Sequence, residues 1–80
     1  MSLQIYRNKI DKIDNDILDL LERRKLFSKI ISKIKAKKNR SLTDLEREDK
    51  ILHRLKSKST KFIDSQIDSM FQIIIQSCKE

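Results

Sequence analysis

The 80-residue sequence contains no glycine, no proline and no tryptophan. Without glycine and proline, the chain cannot build glycine-rich phosphate loops, dinucleotide-binding glycine turns or most tight hairpin turns. Its single cysteine, Cys78, rules out an internal disulfide, and with His53 as the only histidine no metal-ligand spacing exists. The composition therefore favours an all-α domain of long helices with polar connections, and we expect no metal site.

Long apolar segments are also missing. No stretch approaches the roughly 20 residues of a membrane span, and the N-terminal residues lack the apolar core of a signal peptide. A lone cysteine is typical of a reducing compartment. The sequence thus predicts a cytoplasmic protein that does not bind a membrane.

The charge is strongly positive, at +7 from 19 basic and 12 acidic residues. Taken alone, such a balance suits an anionic partner, whether a nucleic acid, a membrane surface or a small carboxylate. The basic run between Lys33 and Arg40 is not interleaved with aromatic residues, which is typical of a solvated helix end rather than a nucleic-acid site. A basic helical binding module without catalysis nevertheless stays open as an alternative.

Helical periodicity predicts three helices. The first runs from about Leu3 to Lys38 and would be roughly 50 Å long, whereas a compact globule of this size is only about 30 Å across. A first helix that overhangs its own chain predicts an oligomer. Thr43 and Glu46 have the form of a capping box that starts a second helix, ending near Lys56.

The third helix is predicted to begin after an N-cap at Asp64. The inner faces expected for the second and third helices follow from residues that recur every three or four positions. The expected set is Leu45, Glu48, Leu52, Leu55, Ile67, Met70, Phe71, Ile74 and Cys78.

Three cations fall on the apolar face of the first helix. Steps of three and four residues connect what we name the cation seam: Arg7, Ile10, Asp14, Ile17, Leu21, Arg24, Ser28, Ile31 and Lys35. Fixed positive charges are costly to bury without an anion, and in the seam only Asp14 could supply one. A small anionic ligand is one explanation. The other is that the cations extend along the seam and keep their charged ends in water.

The reach of these cations limits how they could cooperate. Arg24 and Lys35 are about 16 Å apart along the helix axis, so one small anion could lie between them. Arg7 is about 25 Å from Arg24 and could contribute only from an antiparallel partner chain.

The second helix adds a weaker signal. Asp44 and Glu48 share a face and could form an acid/base pair, although solvated acids at a helix start are commoner. Glu48 also lies on the apolar face, which favours a role for it. Cys78 is more readily explained as a small core residue than as a nucleophile.

Taken together, these motifs resemble the all-helical, type II chorismate mutases. The segment Arg7-x-x-Ile-Asp-x-x-Asp-x-x-Ile-Leu-x-Leu-Leu-x-x-Arg24 resembles the opening signature of that family. Lys35 follows at the family's spacing, and Asp44-x-x-Arg47-Glu48 resembles the motif that opens its second helix. The segment from Phe71 to Ile75 resembles the closing helix. The resemblance covers residues 1–80, as a single chorismate mutase domain.

The resemblance implies an intertwined helical homodimer that rearranges chorismate to prephenate in aromatic amino-acid biosynthesis. No cofactor or covalent intermediate is implied. By the resemblance, Arg24 and Lys35 bind the substrate carboxylates, and Lys35 also donates a hydrogen bond to the ether oxygen. Glu48 and the Asp44 backbone hold the ring hydroxyl. Arg47 supports the binding of the carboxylates, and Arg7 comes from the other subunit.

Two departures from the family pattern affect the expected activity. The family often has serine, a stronger hydrogen-bond partner than a thiol, in place of the substrate-contacting Cys78. Its glutamine donor to the ether oxygen would fall at position 82, beyond Glu80, so we expect the 80-residue form to be impaired.

An isochorismate-pyruvate lyase of the same fold is the alternative enzyme. Fusions to prephenate dehydratase or dehydrogenase occur in this family.

Overall fold

The computed structural model describes residues 2–38 and 45–79, and within them every regular element is an α-helix. Helix α1 spans Leu3–Lys37, α2 spans Leu45–Lys58 and α3 spans Asp64–Ser77. The all-α class and the three-helix order are confirmed. The predicted capping box at Thr43, together with Asp44 and Glu80, lies outside the described residues.

The helix ends agree with the sequence pattern except at the start of α3. Asp64 is the first helical residue rather than the N-cap, so that prediction was wrong. Ile63 precedes the helix in an extended conformation, and its N–H donates to Oε1 of Gln66 at 3.2 Å. Gln66 therefore satisfies the N–H group of the residue that precedes the helix, while Asp64 places a favourable negative charge in the first turn.

Helices α2 and α3 pack together through two apolar stripes. Ile51 and Leu52 of α2 meet Ile75 of α3 in a small core, flanked by Leu55 and Phe71. The stripes differ in part from those expected. Leu45 and Met70 are exposed, at 69% and 38%, whereas Ile51 and Ile75, which were not on the predicted faces, are buried at 4% and 5%. Each helix is thus rotated slightly from the orientation that periodicity alone suggested.

Helix α1 is covered over only part of its length. Ser28 is 3% exposed, and its neighbours on the cation seam from Leu21 to Lys35 are partly buried. Every described residue of α1 before Leu21 is exposed, including Ile10 at 56% and Ile17 at 48%. The chain measures 57 × 24 × 16 Å, which confirms the expected overhang of the long helix. None of the described helices is long and apolar enough to cross a membrane.

An ion pair joins the two short helices. Nζ of Lys56 lies 2.7 Å from Oδ1 of Asp68, and both side chains are partly exposed. The hydrogen bond to Asp68 raises the pKa of Lys56 above its ordinary value of 10.5. A raised pKa means that folding favours the charged lysine, so this contribution to stability is complete below pH 10.5 and disappears as the pH rises through the folded-state pKa.

We expect Lys56→Gln to lower the melting temperature by a few degrees at pH 7, because it breaks the contact between α2 and α3. The difference from the wild type should persist to pH 9 and shrink above about pH 10.5, where the lysine of the unfolded chain loses its proton, until the pH passes the raised pKa of the folded state. Thermal denaturation followed by circular dichroism measures both. Lys50→Gln is the matched control, since Lys50 pairs with Glu46 within α2 and both are well exposed. A difference that stays constant to pH 11.5 would contradict the assignment.

Candidate functional site

Two buried cationic nitrogens mark the candidate site. Nη1 of Arg24 and Nζ of Lys35 are enclosed by protein, and neither has a hydrogen-bond partner among the described residues. Both belong to the covered part of α1, where the cation seam faces the rest of the chain. The alternative in which the charged end extends into water is therefore wrong for Lys35, and for Arg24 it does not hold for Nη1. A buried donor without a partner is unfavourable, and a charged one more so.

The end of α3 closes one side of this region. Oγ of Ser32 on α1 donates to the backbone carbonyl of Lys79 at 3.4 Å. Cys78, at 5% exposed, is buried just before it and borders a cavity of about 200 Å³ between α1 and α3, which Leu21 and Ile74 also line. The structure thus places Cys78 against apolar side chains, as expected of a small core residue.

Glu48 approaches the same region from α2. Its side chain is 18% exposed, and its Oε1 lies 3.3 Å from Nζ of Lys79, whose side chain is 42% exposed. Through Lys79, Glu48 is connected to Ser32, which is one turn from Lys35 on α1. The structure therefore brings Lys35 and Glu48 to one end of the three-helix unit. Sequence reasoning missed Ser32 and Lys79, because neither belongs to an apolar stripe or a recognisable motif.

Two further predicted residues, Arg7 and Arg47, are exposed in this chain. Arg7 is exposed on the uncovered part of α1, about 25 Å along the axis from Arg24. Arg47 is exposed in the first turn of α2. Asp44 lies outside the described residues. His53, expected at the surface, is exposed.

The chemistry of the described residues is that of an anion site. Two fixed cations with unpaired donors can bind two carboxylates, or one carboxylate and a developing negative charge. A nearby carboxylate can accept a hydrogen bond from a hydroxyl group. Among residues 2–38 and 45–79, no group of three or more His, Cys, Asp or Glu side chains could hold a metal ion.

Comparison with known proteins identifies the family to which the chain belongs. The chain is a member of the chorismate mutase type II family, whose sequence profile matches residues 6–80. It is 36% identical over 77 residues to the bifunctional chorismate mutase/prephenate dehydratase of Buchnera aphidicola subsp. Acyrthosiphon pisum (strain APS). The enzyme of the same description from subsp. Baizongia pistaciae (strain Bp) is 35% identical over 77 residues.

The alignments cover most of this chain but little of those relatives. Each of the two spans 94% of the chain, but only 20% and 21% of the respective relative. The chain therefore spans about a fifth of the length of the curated relatives that it matches. No solved structure matches the chain significantly.

The buried charge of Lys35 should make the ligand-free chain less stable than a neutral variant. We expect Lys35→Met to raise the unfolding free energy by about 1–2 kcal/mol, because methionine fills similar space without an unpaired charge. Roughly 4–8 °C in melting temperature corresponds to 1 kcal/mol for a domain of this size.

Lys33→Met is the matched control, since Lys33 is an exposed lysine two residues away on α1, and it should change the melting temperature little. Both variants are compared with the wild type at equal protein concentration by thermal denaturation without ligand. Destabilisation by Lys35→Met beyond that by Lys33→Met would show that the Lys35 ammonium is satisfied within the ligand-free protein.

Proposed function

We propose that this chain is a chorismate mutase, which converts chorismate to prephenate. One observation carries the proposal beyond family membership: Arg24 and Lys35 hold buried nitrogens without partners among the described residues, on the seam that the family resemblance assigns to substrate carboxylates. Chorismate is a dicarboxylate, so it supplies the anionic partners that these two side chains lack.

The proposed mechanism requires positioning and electrostatics alone. The rearrangement forms one carbon–carbon bond as the ether carbon–oxygen bond breaks, and no group of the protein is consumed. Arg24 and Lys35 would hold the carboxylates so that the substrate stays folded, with its reacting carbons close together. Lys35 would also donate to the ether oxygen, on which negative charge develops in the transition state.

The remaining site residues would bind rather than react. Glu48, with the backbone of Asp44, would accept the ring hydroxyl, and Arg47 would support the carboxylate side. Cys78 would contact the substrate at most through its thiol, a weak hydrogen-bonding group. These roles come from the family resemblance. The partly buried position of Glu48, beside the end of α3, supports its role as an acceptor for the ring hydroxyl.

The proposal includes an intertwined homodimer. The uncovered part of α1 exposes Ile10, Ile13 and Ile17 on the cation seam or next to it, each at about half of its maximal area. An antiparallel second copy would bury these residues and would bring its Arg7 towards Arg24. A cytoplasmic location, suggested by the lone cysteine, completes the proposal.

Removing either buried cation should abolish most of the activity. We expect Arg24→Ala and Lys35→Ala each to lower kcat/KM for chorismate by ~10²–10³, the usual cost of one preorganised donor. The decrease of chorismate absorbance measures turnover. Arg23→Ala and Lys33→Ala are the matched controls, because each removes the same charge from an exposed position of α1.

Near-normal turnover by folded Lys35→Ala would contradict the proposed mechanism. The lyase alternative predicts pyruvate release from isochorismate, and the binding-module alternative predicts salt-dependent nucleic-acid affinity without turnover of chorismate. If the wild-type chain is inactive on chorismate and gives either of these results, the corresponding alternative function takes the place of the proposed one.

Arg7 should act on the site of the other subunit. We expect a mixture of Arg7→Ala and Arg24→Ala chains to regain activity after subunit exchange, because one of the two sites in each heterodimer then lacks neither arginine. Turnover before and after exchange is the measurement. A mixture of Arg24→Ala and Lys35→Ala is the matched control, since both residues would come from the same chain and every site stays defective. Absence of recovery in verified heterodimers of the first mixture would place Arg7 outside the site.

A further inference from the structure

Lys79 makes a contact that neither the family resemblance nor the proposed mechanism uses. Its Nζ lies 3.3 Å from Oε1 of Glu48, and its backbone carbonyl accepts a hydrogen bond from Oγ of Ser32 at 3.4 Å. One residue at the end of α3 thus contacts both α1 and α2 beside the proposed site. Ser32 fixes the backbone of Lys79, and the side chain reaches the carboxylate.

This ion pair differs from two others on the molecule. Lys12 pairs with Asp16, and Lys50 with Glu46, in each case within one helix and with all side chains at least 60% exposed. Such pairs contribute little. Lys79 and Glu48 belong to different segments, and the Glu48 side chain is only 18% exposed. Its partial burial makes the Lys79 contact stronger than that of the exposed pairs.

The geometry leaves Glu48 able to bind a second group. A carboxylate has two oxygens and about four acceptor sites, and Lys79 contacts Oε1. The other oxygen can accept a hydroxyl hydrogen bond at the same time. Without Lys79, the partly buried Glu48 carboxylate would lose this cationic partner, and the unpaired ammonium of Lys35 would attract it. A carboxylate that moved to Lys35 would compete with the substrate.

We propose that Lys79 is a positioning residue, which holds the Glu48 carboxylate as the acceptor for the substrate's ring hydroxyl and away from the cations that bind the substrate carboxylates. This inference rests on the proposed function. It assigns Lys79 an effect on binding rather than on the chemical step, because the ring hydroxyl takes no part in bond making or breaking.

The test compares Lys79→Met, Lys79→Arg and the control Lys50→Met, which removes a lysine from an exposed pair of α2. Steady-state kinetics with chorismate gives KM and kcat separately. Calorimetry gives the affinity for two bicyclic dicarboxylate mimics of the folded transition state, one carrying the ring hydroxyl and one lacking it. The difference between the two mimics isolates the hydroxyl contact from general effects on folding or charge.

We expect Lys79→Met to raise KM by about three- to tenfold and to change kcat less than twofold. This pattern is typical of losing an interaction that stabilises the bound substrate and the transition state equally. The affinity of Lys79→Met should fall for the mimic with the hydroxyl and stay within twofold for the other. Lys79→Arg should restore most of the loss, and Lys50→Met should behave as the wild type. Ser32→Ala, which releases the backbone of Lys79, should give a smaller loss of the same kind. In a Glu48→Gln background, Lys79→Met should add nothing.

Unchanged or tighter binding of the hydroxyl mimic by Lys79→Met would overturn the inference, and so would an equal loss for both mimics. If the wild type turns over chorismate and Arg24→Ala does not, such a result removes only the role of Lys79. If the wild type neither turns over chorismate nor binds either mimic, the proposed function fails, and this inference fails with it.

Discussion

Burying the Arg24 and Lys35 nitrogens is the constraint on which the arrangement of this small protein depends. A charge taken out of water costs free energy unless it gains a partner, and neither nitrogen has one among the described residues. A rigid helix keeps both on one face. The segment that follows α3 is held to the covered part of α1 by Ser32, and α3 itself packs on α2 in the small core. We therefore expect the fold to be less stable in the absence of an anion than in its presence.

The same helix is also the basis for the homodimer that we propose. A chain with so few apolar residues covers about half of a 35-residue helix and leaves the other half exposed. A long helix with one cation near its start and two further along can serve two sites if two copies run antiparallel. Length and charge spacing therefore favour one arrangement, in which burial of the apolar face and completion of the site are the same event.

Much of the fold and the main part of the candidate site could be predicted from the sequence. The bounds of α1 and the position of Arg24 and Lys35 on its apolar face follow from a regular period, which is a local property of a helix. That period left open whether their charged ends are buried or reach water. The faces of α2 and α3 were predicted less well. Ile75 is buried whereas Ile74 is only partly buried, because the rotation of short helices depends on how they pack. The contact of Glu48 with Lys79 joins residues 31 positions apart, and no local pattern encodes such a contact.

The most direct test of the central claim is a crystal structure of this chain with the hydroxyl-bearing bicyclic dicarboxylate mimic. The account predicts carboxylate oxygens of the mimic within hydrogen-bonding distance, about 2.7–3.2 Å, of Nη1 of Arg24 and Nζ of Lys35. It also predicts the ring hydroxyl on Glu48. A structure in which both nitrogens pair with protein carboxylates, and the mimic lies elsewhere or is absent at saturating concentration, would contradict it.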